Sequence, residues 1–234
     1  MYKIKILLLF VMLVCILDKV NAFIKDTPLL GKVIYLDAGH GGKDPGAYYK
    51  DIYEEDINLS ITLKLRDKLE KLGAVIYLTR EEDYDLANPN ASLRKKSDLG
   101  NRAKMINSSD ADIYLSIHLN SSTNTSWKGA QVFYDDINKN NEAIAKLFQE
   151  EFNKKLKSNR DAKEISALYM YKNITKPGVL LEVGFISNPG DRYLLKKDDY
   201  QDKISNVIAN TLIKYFNGQI QYIIFLHLGV ATCK

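Results

Sequence analysis

Six short apolar runs, interleaved with stretches of helical periodicity, constrain the fold of this chain more than any other feature of its 234 residues. Lys32-Val33-Ile34-Tyr35-Leu36 is continuously β-branched or apolar, as a strand covered on both faces is. Residues 74–78, 112–117, 130–134, 167–170 and 179–183 are read as five further strands. Ile57, Ile61, Leu65, Leu69 and Leu72 recur at helical spacing, and Gly73 follows as a stop. Residues 92–107 are read as a second helix and residues 140–156 as a third, with Ile144, Leu147, Phe148 and Phe152 on one side. Ile204, Val207, Ile208, Leu212 and Ile213 mark a closing helix, and the polar stretch 79–91 is a loop. This order predicts an α/β fold: a single twisted, mostly parallel (mixed) β-sheet flanked by helices on both faces.

With no internal repeat and no Pro- or Ser-rich linker, one domain is expected over residues 30–217. The apolar run 220–228 stands apart. An added edge strand, a partner-binding segment and a reading-frame artefact all fit it, and the sequence does not choose among them. A hydrophobic content of 46% with 5 Pro excludes a low-complexity or disordered chain.

The first 22 residues read as an export signal. Lys3 and Lys5 precede a run of twelve apolar residues, Ile6 to Leu17, and Val20-Asn21-Ala22 offers small residues where a signal peptidase reads. Twelve residues rise about 18 Å as a helix, short of a hydrocarbon core of about 30 Å. An uncleaved anchor is the alternative; Val14 before Cys15 argues against lipidation. Cleavage leaves Cys233 alone, so the mature chain closes no internal disulfide. It also leaves 30 basic and 28 acidic side chains, a balance that gives no electrostatic footing for nucleic acid.

Open α/β sheets build their sites at the carboxyl edge of the strands, and the chemistry-bearing residues gather there. The first strand runs into Asp37-Ala38-Gly39-His40-Gly41-Gly42, where glycines let the backbone turn and leave the imidazole uncovered. The third ends in Ser116-Ile117-His118-Leu119-Asn120. Glu54 and Glu55 open the first helix, and spacing does not say which of them turns toward the histidines. Two imidazoles and a carboxylate are a common ligand set for catalytic zinc, leaving one position for water. Glu182, alone in an apolar strand, suits the further carboxylate that moves the proton. Each has a bland reading: strand-end histidines are often structural, the Glu54–Glu55 pair favours a helix N-terminus, and Glu182 could pair with a buried arginine. His227, inside the apolar tail, is read as structural.

Taken together, these segments resemble the zinc-dependent N-acetylmuramoyl-L-alanine amidases. Residues 33–47, with Gly39-His40-Gly41-Gly42-Lys43-Asp44-Pro45-Gly46, are similar to that family's first signature. Glu54-Glu55-Asp56-Ile57-Asn58-Leu59 resembles its helix start, and Leu78-Thr79-Arg80 with Asp83, Leu99, Arg102 and Asn107 resemble the pieces between. Ser116–Asn120 and Leu181-Glu182-Val183-Gly184-Phe185-Ile186-Ser187-Asn188-Pro189 are similar to the second histidine motif and the closing signature. The resemblance runs in order over residues 32–216.

It implies zinc held by His40, Glu54 and His118, choosing Glu54 over Glu55, and Glu182 as catalytic base and acid. The implied reaction is hydrolysis of the amide between the lactyl group of muramic acid and the L-alanine of the stem peptide. Within the family, the chain looks like the short exported amidases of spore-forming bacteria that trim cortex peptidoglycan so that muramic-δ-lactam can form. A missing wall-targeting module suggests that affinity comes from the groove or from an accessory lipoprotein partner. A zinc carboxypeptidase-type peptidase is a competing reading, disfavoured because those enzymes carry His-x-x-Glu and here the carboxylate comes fourteen residues after His40. A catalytically dead peptidoglycan binder is another, and it has no use for Glu182.

Overall fold

The computed structural model describes residues 5–6, 12–16, 18–19, 25–166 and 168–228, with side chains to residue 218. The expected cleavage site at 20–22 and the end of the tail lie outside the described residues. Among the described residues, no helix is long and apolar enough to cross a membrane.

The chain runs β1 (Val33–Ala38), a small hairpin of β2 (Tyr48–Tyr49) and β3 (Ile52–Tyr53), α1 (Glu54–Lys71), β4 (Val75–Leu78) and α2 (Arg94–Ser108). It continues with β5 (Ile113–Asn120), β6 (Gln131–Tyr134), α3 (Asn141–Leu156), β7 (Lys163–Glu164), β8 (Gly178–Phe185), α4 (Pro189–Leu195) and α5 (Asp198–Leu228). Six strands form one sheet in the order β4-β1-β5-β8-β6-β7. All neighbours are parallel except β6 and β8, which gives the mixed, mostly parallel sheet the sequence order predicts.

Alternate residues of each strand feed two cores. Ile34, Leu36, Leu115, Ile117, Leu181 and Val183 pack with Ile61, Leu65 and Leu69 of α1, Phe148 and Phe152 of α3, and Ile208 and Leu212 of α5. Tyr35, Tyr114 and Leu180 face the other way, against Ala103 and Ile106 of α2 and Tyr171. Each fully buried Leu or Ile contributes about 1.5–3 kcal/mol, so the continuous apolar character of the central strands reflects two covered faces rather than one.

Two readings are corrected, and one left open is narrowed. In the expected strand 167–170, the described residues 168–170 form no strand: Tyr169–Met170 turn into a 3-10 segment, Tyr171–Asn173, pinned by Asn173 Nδ2 donating to the Tyr169 carbonyl. A four-residue apolar run fits a buried turn as well as a strand, and here Met170 and Tyr171 are buried under α2. The tail, left open among three readings, is helical: α5 continues through Gly218 to Leu228, which removes the edge strand from those alternatives. A mid-helix glycine costs only about 1 kcal/mol, too little to stop a helix that apolar residues prolong. The other correction is that β5 extends past His118 to Asn120, so this side chain stands on the sheet rather than in a loop, beside Glu182, which lies within β8 as its strand reading expects.

Candidate functional site

The site grows from the end of β1. Its chain turns out of the sheet through His40 at φ 64, Gly41 at φ 123 and Gly42 at φ 64. A left-handed histidine is uncommon and persists only where the surroundings hold it. Two buried guanidinium groups do so. Arg102 donates to the carbonyls of Ala38 at 2.8 Å and His40 at 2.6 Å, and Arg80 to those of Ala38 at 3.0 Å and Gly39 at 3.0 Å. Arg102 also pairs with Asp37 at 2.8 Å and with Asp98 at 2.9 Å. Asp37 is fully buried, and although burial raises a carboxyl's pKa, the Arg102 charge prevails and holds it below the ordinary value. Removing one member of such a buried pair costs about 3–5 kcal/mol, so the loop rests on a rigid base.

Glu54 opens α1 directly after the β2–β3 hairpin and turns in under the loop. One carboxylate oxygen lies 3.2 Å from His40 Nε2 and 3.0 Å from His118 Nδ1. It also accepts from the Leu119 amide at 3.0 Å and Asn58 Nδ2 at 3.3 Å, while the other oxygen accepts from the Ala47 amide at 2.8 Å. Burial alone would raise its pKa; the two imidazoles outweigh burial and hold the carboxyl well below the usual range. His40 turns its other nitrogen to Asp44 at 3.0 Å. Burial opposes charge on this ring, but Asp44 and then Glu54 raise it to about 9. Asp44 thus orients the imidazole from behind, as the outer partner of a metal-ligating histidine does, and its place four residues after His40 carried no signal of that role in the sequence.

One ligand atom each from His40, Glu54 and His118 lie within 4.8 Å of one another, a group able to hold a metal ion. The donor set fits: two imidazoles and one carboxylate, already converging, with His40 held from behind by Asp44 and Glu54 by the Ala47 and Leu119 amides. Gly39 has to be glycine because an added Cβ would sit 2.2 Å from the His118 ring. Glu55, left open against Glu54 in the sequence, faces away, where burial and then Asp83 push it up to about 7.

Glu182 of β8 is the register partner of His118, so both side chains rise from one face of the sheet, side by side. Its Oε2 is buried with no hydrogen-bond partner, and it pairs with neither Arg80 nor Arg102, whose donors are taken. Burial first, then the Glu54 charge, push its carboxyl up to about 8 against the opposing pull of His40. Glu55 Oε2 is buried and unsatisfied too; Glu182 differs in standing beside the donor cluster, which makes it the candidate group for chemistry.

Comparison with known proteins places the chain among amidases. The germination-specific N-acetylmuramoyl-L-alanine amidase of Bacillus subtilis (strain 168) is 46% identical over 193 residues, 81% of each chain. The solved structure of the CwlD amidase from Clostridioides difficile in complex with the GerS lipoprotein superposes with a TM-score of 0.76 at 39% identity, covering 80% of this chain and 99% of that one. The catalytic domain of the amidase CwlV from Bacillus (Paenibacillus) polymyxa var. colistinus gives 0.70 at 28% identity, over 80% and 98% of the two chains. The carboxypeptidase-type alternative falls with these matches. Since the family model described as N-acetylmuramoyl-L-alanine amidase matches residues 34–214, the chain belongs to the N-acetylmuramoyl-L-alanine amidases, enzymes that act on peptidoglycan.

Proposed function

We propose that this amidase works with zinc held by His40, Glu54 and His118, with Glu182 as the proton carrier, and that it strips stem peptides from spore cortex so that muramic-δ-lactam can form. The observation that carries the reading is the meeting of the three donors beside an unsatisfied Glu182. When bound, zinc supplies a Lewis acid for the scissile carbonyl and lowers the pKa of water from about 15.7 to about 7. Glu182, poised near neutrality at about 8 and drawn lower by a nearby cation, takes the water's proton and returns it to the departing alanine nitrogen. Arg80 and Arg102 fix the His40 loop, so the donors need no rearrangement during turnover.

The cortex setting rests on the 46% identity to the germination-specific amidase. A lipoprotein partner is supported by the CwlD structure, which is a complex with GerS. Residues 1–22 are assigned to export, with residues 30–217 as the catalytic unit beyond the cytoplasmic membrane; the peptidoglycan substrate of the family supports this. Digestion of purified cortex peptidoglycan by the zinc-loaded protein, followed by mass spectrometry, tests the reading. The expected products are intact stem peptides with a free L-alanine amino terminus and glycan with bare lactyl groups. Cleavage inside the stem, or no release with or without a lipoprotein partner, contradicts it.

A further inference from the structure

The row of polar side chains at the site continues one strand beyond Glu182. Register aligns His118 of β5 with Glu182 of β8, and Glu182 with Gln131 of β6, so all three rise from the same face. Arg160, after α3, extends the row: Nε and Nη2 donate to Gln131 Oε1 at 3.0 and 2.8 Å. Gln131 Nε2 in turn donates to the Asp161 carbonyl at 3.0 Å, which fixes which end of the amide meets the arginine. The guanidinium stacks 5.0 Å from the centroid of buried Phe185 and 5.5 Å from that of Trp127, whose indole is 50% exposed.

Among the described residues, Arg160 ion-pairs with no carboxylate; its partners are a neutral amide oxygen and two rings. Asp191, beside Phe185, spends its Oδ2 on the amides of Gly129 at 2.8 Å and Phe185 at 2.9 Å. A half-buried guanidinium held this way presents a planar fork suited to reading a carboxylate.

We propose that Arg160, with Trp127 as the apolar wall beside it, binds a carboxylate of the leaving peptide. The inference rests on Glu182 as the group that protonates the departing nitrogen. With the carbonyl at the three-donor cluster and the nitrogen at Glu182, the released peptide runs from Glu182 toward β6, and the glycan lies on the opposite side. Strands lie about 4.8 Å apart, and the Arg160 fork sits on the Gln131 amide one strand beyond Glu182, so it stands roughly one to two strand spacings, about 5–10 Å, from Glu182. An extended peptide advances about 3.3–3.6 Å per residue, which brings a carboxylate on its second or third residue within reach.

Two muropeptide substrates test this, identical except that the carboxyl groups of the second and third residues are free in one and amidated in the other. Arg160→Gln is expected to raise KM for the acidic substrate about ten- to a hundredfold, with kcat changed less than about threefold, the loss of one charge-assisted contact. The amidated substrate should keep near wild-type constants, and Arg160→Lys should recover part of the preference. An equal loss on both substrates would mean that Arg160 only ties residue 160 to β6, and an unchanged preference would mean that it binds no carboxylate; either overturns the proposal. Failure of the underlying reading shows separately, as turnover of either substrate by Glu182→Gln.

Discussion

Glu182→Gln is expected to lower kcat by about a hundred- to ten-thousandfold while metal content stays at the wild-type level, the size of effect that loss of a general base produces. The substitution is nearly isosteric and stays within β8, whose neighbours on both sides are fixed by register to His118 and Gln131. It removes a carboxyl that is buried and unsatisfied, so folding stability should hold or rise. An amide has no basic site for the water's proton and none to return to the leaving nitrogen. Turnover of purified muropeptides, measured beside elemental analysis of the same preparation, reads both quantities. Unchanged hydrolysis with metal present would assign the proton transfer elsewhere; lost metal would make Glu182 a ligand. The result also decides against a non-catalytic binder, for which this side chain has no use.

The second large effect is expected at His118. His118→Ala removes one of three donors and should weaken metal affinity by more than the 10–100-fold typical of an outer-shell change, taking activity with it. The consequence reaches Glu54, whose carboxyl is held low chiefly by His118 and then His40 against burial. With that imidazole gone, the buried carboxylate loses one of its two ring contacts. The fold should survive, because the ring stands above the two cores rather than in them and packs on Gly39. Equilibrium dialysis against zinc gives the affinity, and circular dichroism reports the fold. A variant that keeps wild-type zinc affinity removes His118 from the ligand set.

Much of the architecture was legible because the central strands are apolar throughout and the helices carry clear periodicity. Val33–Leu36, Ile113–Ile117 and Val179–Val183 form neighbouring strands because both of their faces are buried. The short elements were not legible. The 3-10 segment at Tyr171–Asn173 is set by tertiary burial and by the Asn173 contact to Tyr169, neither of which has a periodicity. Helix α4 was also missed, although Asn188 caps it by accepting from the Gly190 and Asp191 amides; the cap and the proline after it are a readable start signal.

For the site, single residues were visible and their grouping was not. His40, Glu54, His118 and Glu182 lie far apart in the chain, and spacing could not separate Glu54 from Glu55; the resemblance made that choice. The structure turns Glu54 to both imidazoles and Glu55 toward Asp83. Asp44 behind His40, and Gln131 with Arg160 beyond Glu182, depend on a loop turn and on an antiparallel strand pairing. Nothing local in the sequence encodes either.

Anomalous diffraction at the zinc edge, on crystals of the metal-loaded protein, is the most direct test of how the active centre is built. The account predicts one peak bonded to both rings and to the Glu54 carboxylate, with the Glu182 side chain facing it and not bonded to it. A peak at another group of side chains, or one whose protein ligands omit Glu54, would contradict it.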